Sequence, residues 1–295
     1  MMAEKVGILG LGLIGGITAE ILMPKGYECA AVRRPSTESF PDTGGKLFDT
    51  ARELAEWSDV VISALPSTEA SRTALEGPDG LLAGTHEGLT IIEMNTFPVS
   101  EKERVRDQAA DTPAKIIDCP LSGTQPIIRA GKGVIMMSGD QALCESVKPM
   151  LELVCPKTFY VGEYGTGIKL KLMINFMVGA NTVALAEGML FGAQMGLDPE
   201  LMIDIVGPSA AGSTVFGMRA GIIKDRSWQP CAGPSKLLWK DLDIVEEQAE
   251  ALGLSAPLLR ICNDYYKKIE KAGRLEDECS VVYEILESEI KAAAE

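Results

Sequence analysis

Histidine is almost absent from this 295-residue sequence, which contains a single copy, His86. Metal sites that need two or more histidines are therefore excluded. His86 lies in residues 84–88, Gly-Thr-His-Glu-Gly, a composition typical of an exposed loop. We interpret it as a structural residue and do not expect a histidine general base.

Cysteine pairs at metal-binding or redox spacing are also lacking. The seven cysteines are scattered, their number is odd, and no two form a Cys-x-x-Cys pair. This pattern favours reduced thiols in a cytoplasmic protein over a disulfide framework. The first predicted strand begins at Lys5 or Val6, which leaves no space for a targeting leader, so we expect a cytoplasmic location.

Positive charge is scarce as well. The chain has 28 lysines and arginines against 42 aspartates and glutamates, a formal net charge of −14. The affinity of general nucleic-acid binders depends on cations that face phosphates, so no nucleic-acid partner is expected. Local basic clusters remain compatible with this balance.

The main apolar run, residues 172–186, carries no charge but is shorter than the roughly 20 residues that a membrane span needs. It also contains Asn175, Asn181 and Thr182, together with several glycines and alanines. A helix that is apolar nearly all round and rich in small residues is typical of a buried central helix. We therefore expect no membrane partner.

The chain divides into two regions by its pattern. Residues 1–163 alternate short apolar runs with helical stretches, which predicts a Rossmann-type, doubly wound, mostly parallel sheet. Residues 164–295 are helical in pattern and predict an all-helical second domain that begins with a long central helix. The predicted strands are residues 6–9, 27–32, 60–64, 89–94, 114–118 and 133–137. The predicted helices of the first region are one that follows the first strand and ends near residue 23, one over residues 48–57 and one over residues 101–110.

A glycine-rich loop follows the first predicted strand. Residues 8–15 read Ile-Leu-Gly-Leu-Gly-Leu-Ile-Gly, a Gly-x-Gly-x-x-Gly pattern that opens a helix. Gly10 would permit a tight turn, Gly12 a close approach of a pyrophosphate, and Gly15 close packing of helix on strand. The helix N-terminus favours an anion, so the loop predicts a dinucleotide site.

The end of the second predicted strand distinguishes the two nicotinamide cofactors. NAD sites usually carry an acid about 20 residues after the loop. Here the sequence is Ala-Val-Arg-Arg-Pro-Ser, so Arg33 and Arg34 stand where that acid is expected. Two arginines suit the additional phosphate of NADP(H), which we predict as the preferred cofactor, with NAD(H) possible.

Lys171 and Asn175 lie four residues apart on the predicted central helix. This spacing puts both side chains on one helix face. Apolar neighbours would lower the pKa of a lysine there towards neutrality, which makes Lys171 a candidate proton donor and acceptor. Lys169 points to the opposite side and has no asparagine partner, so we interpret it as structural.

Four motifs in order, over essentially the whole chain, resemble the β-hydroxyacid dehydrogenase family, a group that includes 3-hydroxyisobutyrate dehydrogenase and semialdehyde reductases. The first is the glycine loop. The others are residues 118–124, Asp-Cys-Pro-Leu-Ser-Gly-Thr; the Gly-x-Gly-x-x-x-Lys-x-x-x-Asn pattern of residues 165–175; and Lys-Asp-Leu at 240–242. Residues 93–96, Glu-Met-Asn-Thr, are similar to the strand end that the family places near the nicotinamide.

The resemblance implies a role for each motif. Lys171 would be the general acid/base and Asn175 would position the lysine or the substrate. Ser122 and Gly123 would hold a substrate carboxylate, next to Thr124. Lys240 and Asp241 would close the pocket. The implied cofactor-binding residues are Gly10, Gly12, Leu13, Ile14, Gly15, Arg33, Arg34, Leu65, Pro66 and Thr96.

Some residues depart from the family pattern and concern the substrate. Thr124 replaces a glycine, Arg129 replaces a common glutamate, and Gly233 falls where a phenylalanine is frequent. Two interpretations are open. Either the pocket accepts a larger or more anionic substrate, with Arg129 as a second anion contact, or Arg129 is a surface residue.

The sequence therefore predicts an NADP(H)-dependent oxidoreductase for a small carboxylate-bearing substrate, a β-hydroxy acid or its semialdehyde. An imine reductase of the same fold and a non-catalytic cofactor-binding relative are the alternatives, although both commonly lack the lysine. The apolar central helix and the resemblance together predict a homodimer or homotetramer.

Overall fold

A computed structural model describes residues 5–294 of the chain. The chain forms two compact units, Met1–Lys171 and Leu172–Glu295. The sequence-based boundary between residues 163 and 164 remains a prediction.

The first unit is built on a parallel sheet of six strands in the order β3-β2-β1-β4-β5-β6. This order confirms the Rossmann-type, doubly wound sheet. The strands are short and apolar because helices cover both faces of the sheet. They are β1 (Lys5–Leu9), β2 (Glu28–Val32), β3 (Lys46–Phe48), β4 (Val60–Ser63), β5 (Thr90–Glu93) and β6 (Lys115–Asp118).

Three helices of the first unit start at polar N-cap residues. Thr50, Ser67 and Asp140 each accept a backbone N–H of the first turn that follows. The helices are α1 (Leu13–Leu22), α2 (Ala51–Trp57), α3 (Thr68–Leu75), α4 (Val99–Ala110), α5 (Gln125–Arg129) and α6 (Gln141–Val154).

The predicted helix over residues 48–57 starts too early. Phe48 ends strand β3, and helix α2 begins at Ala51. Thr50 and Glu53 form a capping box, in which each side chain accepts the backbone N–H of the other. This Thr-x-x-Glu signal marks a helix start, so the boundary was present in the sequence.

A second, three-stranded sheet was not predicted as a separate element. Its strands are β7 (Leu121–Ser122), β8 (Val134–Met137) and β9 (Lys157–Tyr160). Strand β8 pairs antiparallel with β7 and parallel with β9. The predicted strand at residues 133–137 therefore exists but belongs to this small sheet, because its partners are the chain segments nearest in sequence.

The second unit is helical, as predicted. Its apolar core includes Leu190, Phe216, Leu242 and Tyr266. Its helices are α7 (Thr166–Gln194), whose first turns belong to the first unit, followed by α8 (Pro199–Val206), α9 (Thr214–Asp225), α10 (Ser235–Ala251), α11 (Pro257–Lys271) and α12 (Val282–Ala294).

Helix α7 has 29 residues and by length and composition alone is apolar enough to cross a membrane. Core helices of soluble proteins pass the same test. Within the second unit the Thr182 hydroxyl accepts a bond of 3.0 Å from buried Arg219. A Cβ added at Gly179 would lie 2.9 Å from Leu242 Cδ1. These close contacts favour the predicted central helix of a bundle.

Candidate active site

The glycine loop connects β1 to α1, and its three glycines have distinct environments. Gly10 has a φ of +103°, and a Cβ there would meet the carbonyl oxygen of Ala64 at 2.4 Å. A Cβ at Gly15 would lie 1.9 Å from the carbonyl oxygen of Gly10. Gly12, at the N-terminus of α1, is exposed with no heavy atom within 4 Å of its Cβ position. The loop thus fits a pyrophosphate at Gly12, where open space meets a helix N-terminus.

The remaining cofactor candidates extend beyond the carboxyl ends of neighbouring strands. Arg33 and Arg34 follow β2, Leu65 and Pro66 follow β4, and Thr96 follows β5. Because these strands are adjacent to β1 or to one another, the sheet brings all of these segments to one edge. That edge is where dinucleotides bind in such folds.

The two arginines differ in their contacts. Arg33 is exposed and pairs with Asp49 at 3.0 Å and with Glu38 at 3.3 Å, and both carboxylates raise the pKa of its guanidinium. Arg34 is exposed, and its guanidinium donates to the carbonyl oxygen of Arg33 at 2.8 Å. Among the described residues no carboxylate forms an ion pair with Arg34. Arg34 is therefore the better placed of the two for an added phosphate.

The segment with Ser122, Gly123 and Thr124 runs from β7 to α5. Gly123 has a φ of +149°, a conformation that favours glycine, and a Cβ there would lie 3.2 Å from Ile127 Cγ2. The Gln125 side chain donates to the carbonyl oxygen of Leu13 at 3.0 Å. The candidate substrate segment is therefore tied directly to the glycine loop.

Helix α7 begins in close contact with the strands of the first unit. Gly165, just before it, has a φ of +90°. At Gly167 a Cβ would lie 2.7 Å from the carbonyl oxygen of Met136 and 2.9 Å from Pro120 Cδ. The Gly-x-Gly motif is thus explained by a turn and a close approach. Lys171, one turn later, is half-buried.

The alternative lysine, Lys169, is exposed on the same helix. This agrees with its interpretation as structural.

Three buried charges lie behind the strand ends. Glu93 ends β5, Asp118 ends β6, and the two are paired in register. Lys102 of α4 is fully buried, contacts Glu93 and lies 2.8 Å from Asp118 Oδ1. Burial lowers the pKa of the Lys102 ammonium, and the charge of Asp118 opposes that shift.

In the second unit, Asn175 and the Lys-Asp-Leu motif meet. Asn175 is buried, and its Nδ2 donates to Asp241 Oδ2 at 2.7 Å. Asp241 Oδ1 lies 3.0 Å from the Lys240 ammonium. Asp241 thus joins the two candidate side chains.

Arg129 of α5 is exposed and makes a two-pronged ion pair with Glu20 of α1, with bonds of 3.1 and 2.7 Å. The hydrogen bond from Arg129 lowers the pKa of the Glu20 carboxyl. These contacts favour Arg129 as a surface residue.

His86 is half-buried, not exposed, and both ring nitrogens lie within 3.1 Å of backbone carbonyl oxygens, those of Glu87 and Ser58. These backbone contacts agree with its interpretation as a structural residue.

Residues 5–162 match the NAD binding domain of 6-phosphogluconate dehydrogenase, and residues 165–286 match the NAD-binding domain of NADP-dependent 3-hydroxyisobutyrate dehydrogenase. The chain belongs to the β-hydroxyacid dehydrogenase family. As a member of this family it is an NAD(P)-dependent oxidoreductase. The resemblance inferred from the four motifs is confirmed.

Several family relatives match nearly the whole chain. Glyoxylate/succinic semialdehyde reductase 2 of Arabidopsis thaliana is 27% identical over 96% of this chain and 80% of its own length. 2-Hydroxy-3-oxopropionate reductase of Escherichia coli is 28% identical over 96% of this chain and 97% of its own. The solved structure of 3-hydroxyisobutyrate dehydrogenase from Mycobacterium tuberculosis has a similar fold, with a TM-score of 0.86 at 24% identity over 97% of this chain and 99% of that one.

In this β-hydroxyacid dehydrogenase some supporting residues were not predicted. The roles of Lys102 and Gln125 depend on contacts with residues distant in sequence, which no local pattern encodes. One signal was available for the buried charges. The apolar strands Thr-Ile-Ile-Glu and Lys-Ile-Ile-Asp both end in an acid, and neighbouring parallel strands bring such ends together.

Proposed function

We propose that this chain is an NADP(H)-dependent reductase that interconverts a small semialdehyde acid and its β-hydroxy acid, with Lys171 as the general acid/base. The observation that carries the proposal is the environment of Lys171. It is half-buried one turn after a helix start that packs against the strand ends, at the edge that also carries the glycine loop. By their names, the two reductases reported above act on aldehyde acids, which supports this substrate class.

The chemistry needs a hydride and a proton. A bound nicotinamide supplies or accepts the hydride. In the reducing direction the Lys171 ammonium donates a proton to the carbonyl oxygen, and in the oxidising direction the neutral amine accepts the hydroxyl proton. Backbone N–H groups at Ser122 and Gly123 hold the carboxylate, and Asn175, kept in place by Asp241, orients the reacting group.

NADP(H) preference is part of the proposal and is assigned mainly to Arg34. The Arg33 guanidinium already has two carboxylate partners, whereas the Arg34 guanidinium has a carbonyl acceptor. We expect Arg34→Ala to weaken NADPH binding by about tenfold or more while changing NADH binding little, because a charge-assisted phosphate contact contributes roughly 1.5–3 kcal/mol. Arg33→Ala is the matched variant with a smaller expected effect, and equal losses for both cofactors would contradict the assignment.

Imine reduction and non-catalytic cofactor binding remain the competing functions. Both are tested by incubating the protein with NADPH or NADH and a panel of semialdehyde acids, glyoxylate and cyclic imines while following absorbance at the nicotinamide band. Turnover of an aldehyde acid with NADPH supports the proposal. Turnover of imines alone, or cofactor binding without any turnover, would reject it.

We also propose that the chain forms a homodimer or homotetramer. One side of α7 exposes Met173, Met177 and Phe191, and Met195 directly follows the helix; each of the four is more than half accessible in the isolated chain. Exposed apolar patches of this kind are typical of subunit interfaces. Light scattering after size-exclusion chromatography should give two or four times the mass of 31.6 kDa; a monomer at micromolar concentration would contradict the assignment.

A further inference from the structure

A row of polar residues crosses the carboxyl ends of three neighbouring strands in the first unit. Ser63 of β4 is paired in register with Glu93 of β5, and Glu93 with Asp118 of β6. All three are buried. Lys102 of α4 reaches this row from the side and contacts both carboxylates. Two acids and one cation are thus enclosed together.

Stability alone is a poor explanation for such a group. Transferring charges from water into the protein interior costs free energy. Well-packed apolar residues of the same volume commonly give the fold equal or greater stability. Buried polar groups can instead fix one arrangement of the elements that they connect. The role of this group is therefore to be found in the elements that it joins.

The first outward connection is to helix α7. Asp118 Oδ2 accepts the N–H of Ile168 at 2.9 Å and the hydroxyl of Ser138 at 3.0 Å. Ser138 Oγ in turn accepts the N–H of Gly167 at 3.0 Å. Two N–H groups that the first turn of a helix leaves unpaired are thereby satisfied by this network. The turn has little freedom, because Gly167 lacks space for even a Cβ.

The second outward connection is to the cofactor edge of the sheet. The Asn95 amide donates to Ser63 Oγ at 3.0 Å and contacts Glu93, while its Oδ1 accepts the N–H of Leu65. Leu65 lies in the segment after β4, and Thr96 directly follows Asn95. The buried charges are therefore linked to the segments that carry the cofactor candidates Leu65 and Thr96. Through the first turn of α7 they are also linked to Lys171.

We infer that the buried Glu93–Lys102–Asp118 triad is a positioning device for the reaction: it fixes the first turn of α7, and with it Lys171, relative to the strand ends that carry Leu65 and Thr96. The three residues do not contact the substrate. They act through Asn95, Ser138 and the backbone of the helix. This inference rests on the proposed role of Lys171.

Asp118→Asn is the most direct test. The amide has about the same shape but replaces one carboxylate oxygen by a donor, so it cannot accept from both Lys102 and the α7 turn. Val105→Ala is the matched control, because Val105 is buried on the same helix as Lys102 but belongs to an apolar cluster. Ser138→Ala is a milder second variant that removes the acceptor of the Gly167 N–H and one donor to Asp118 Oδ2 but leaves the charge of Asp118 and its contact with the Ile168 N–H.

Two measurements on the full chain decide the outcome. Hydrogen exchange at the amides of Gly167 and Ile168 should accelerate at least about tenfold in Asp118→Asn and less in Ser138→Ala, with no such local change in Val105→Ala. kcat should fall about tenfold or more in Asp118→Asn, since small displacements of a reacting group are costly, while the Kd for NADPH stays within about threefold. Both results together support the inference.

The inference is overturned if exchange at the α7 turn is unchanged in both network variants, or if kcat falls no further than in Val105→Ala. If Asp118→Asn does not fold, the same criteria are applied to Ser138→Ala. Failure of the proposed function is seen separately, as absence of turnover in the unmodified chain. The exchange measurement requires no substrate and still decides whether the triad fixes the helix.

Discussion

The two groups of candidate site residues differ in whether backbone or side-chain groups form them. In the first unit, the strand-end group depends on backbone: Gly10 and Gly123 have positive φ angles, and Gly15 has no room for a Cβ. In the second unit, the group is made of side chains on two helices, with Asp241 joining Asn175 to Lys240. The first is suited to anions held by N–H groups, and the second to directed hydrogen bonds.

This difference determines how each group responds to mutation. A site formed by backbone is damaged by adding a Cβ, whereas changes to the side chains beside it, such as Arg34→Ala or Lys171→Ala, remove one functional group and leave the backbone geometry intact. A side-chain site is damaged by removing a functional group, and this removal has little effect on the stability of the fold.

Lys171→Ala should have the largest effect on catalysis. Loss of a positioned proton donor commonly reduces the rate by about 10²–10⁴-fold, so kcat for aldehyde reduction should fall within that range. The Kd for NADPH, measured by fluorescence titration, should change by less than about threefold because the backbone site is intact. Lys169→Ala, an exposed lysine on the same helix, is the control and should retain activity. Comparable losses in the two variants would show that general helix charge, not proton transfer, is responsible.

Gly15→Ala and Gly12→Ala should separate folding from cofactor binding. The Cβ introduced by Gly15→Ala would overlap the carbonyl oxygen of Gly10, at 1.9 Å, so thermal stability should fall; overpacking typically costs about 1–3 kcal/mol. At Gly12 nothing lies within 4 Å, so the variant should keep its melting temperature but bind NADPH about tenfold or more weakly, ~1.4 kcal/mol.

Calorimetry and cofactor titration distinguish these outcomes. If Gly12→Ala binds NADPH as the unmodified chain does, the pyrophosphate does not approach this glycine and the backbone interpretation of the first group is wrong.

The sequence was most informative where structure depends on local patterns. The alternation of strands and helices predicted the parallel sheet, and the three glycines predicted a loop whose tight geometry the structure displays. It was least informative where contacts are distant in sequence. The partners of Lys102 lie on two different strands, and those of Arg33 and Arg129 depend on where Asp49 and Glu20 are brought by the fold. Such pairings require the tertiary structure.

Asp241→Asn tests the side-chain group of the second unit. The amide can still accept from Asn175 but no longer pairs with the Lys240 cation, so Asn175 loses a charge-assisted contact. We expect kcat/KM for acid substrates to fall about tenfold, ~1.4 kcal/mol, with NADPH binding little affected. Glu247→Gln, an exposed acid on the same helix, should be neutral. A loss confined to NADPH binding would mean that this group serves the cofactor.

Arg129→Ala should have the smallest effect and bears on the substrate. If anions are held in the first unit by backbone N–H groups, a surface arginine that is already paired with Glu20 contributes little to substrate binding. KM for monoacid and diacid aldehydes should therefore stay within about twofold of the unmodified value, since exposed ion pairs have weak effects. Glu20→Gln, which removes the partner carboxylate, is the complementary variant. A selective rise in KM for diacids in Arg129→Ala would instead mean that Arg129 leaves Glu20 to bind a second carboxylate, and the first unit would then recognise its substrate through a side chain as well as through its backbone.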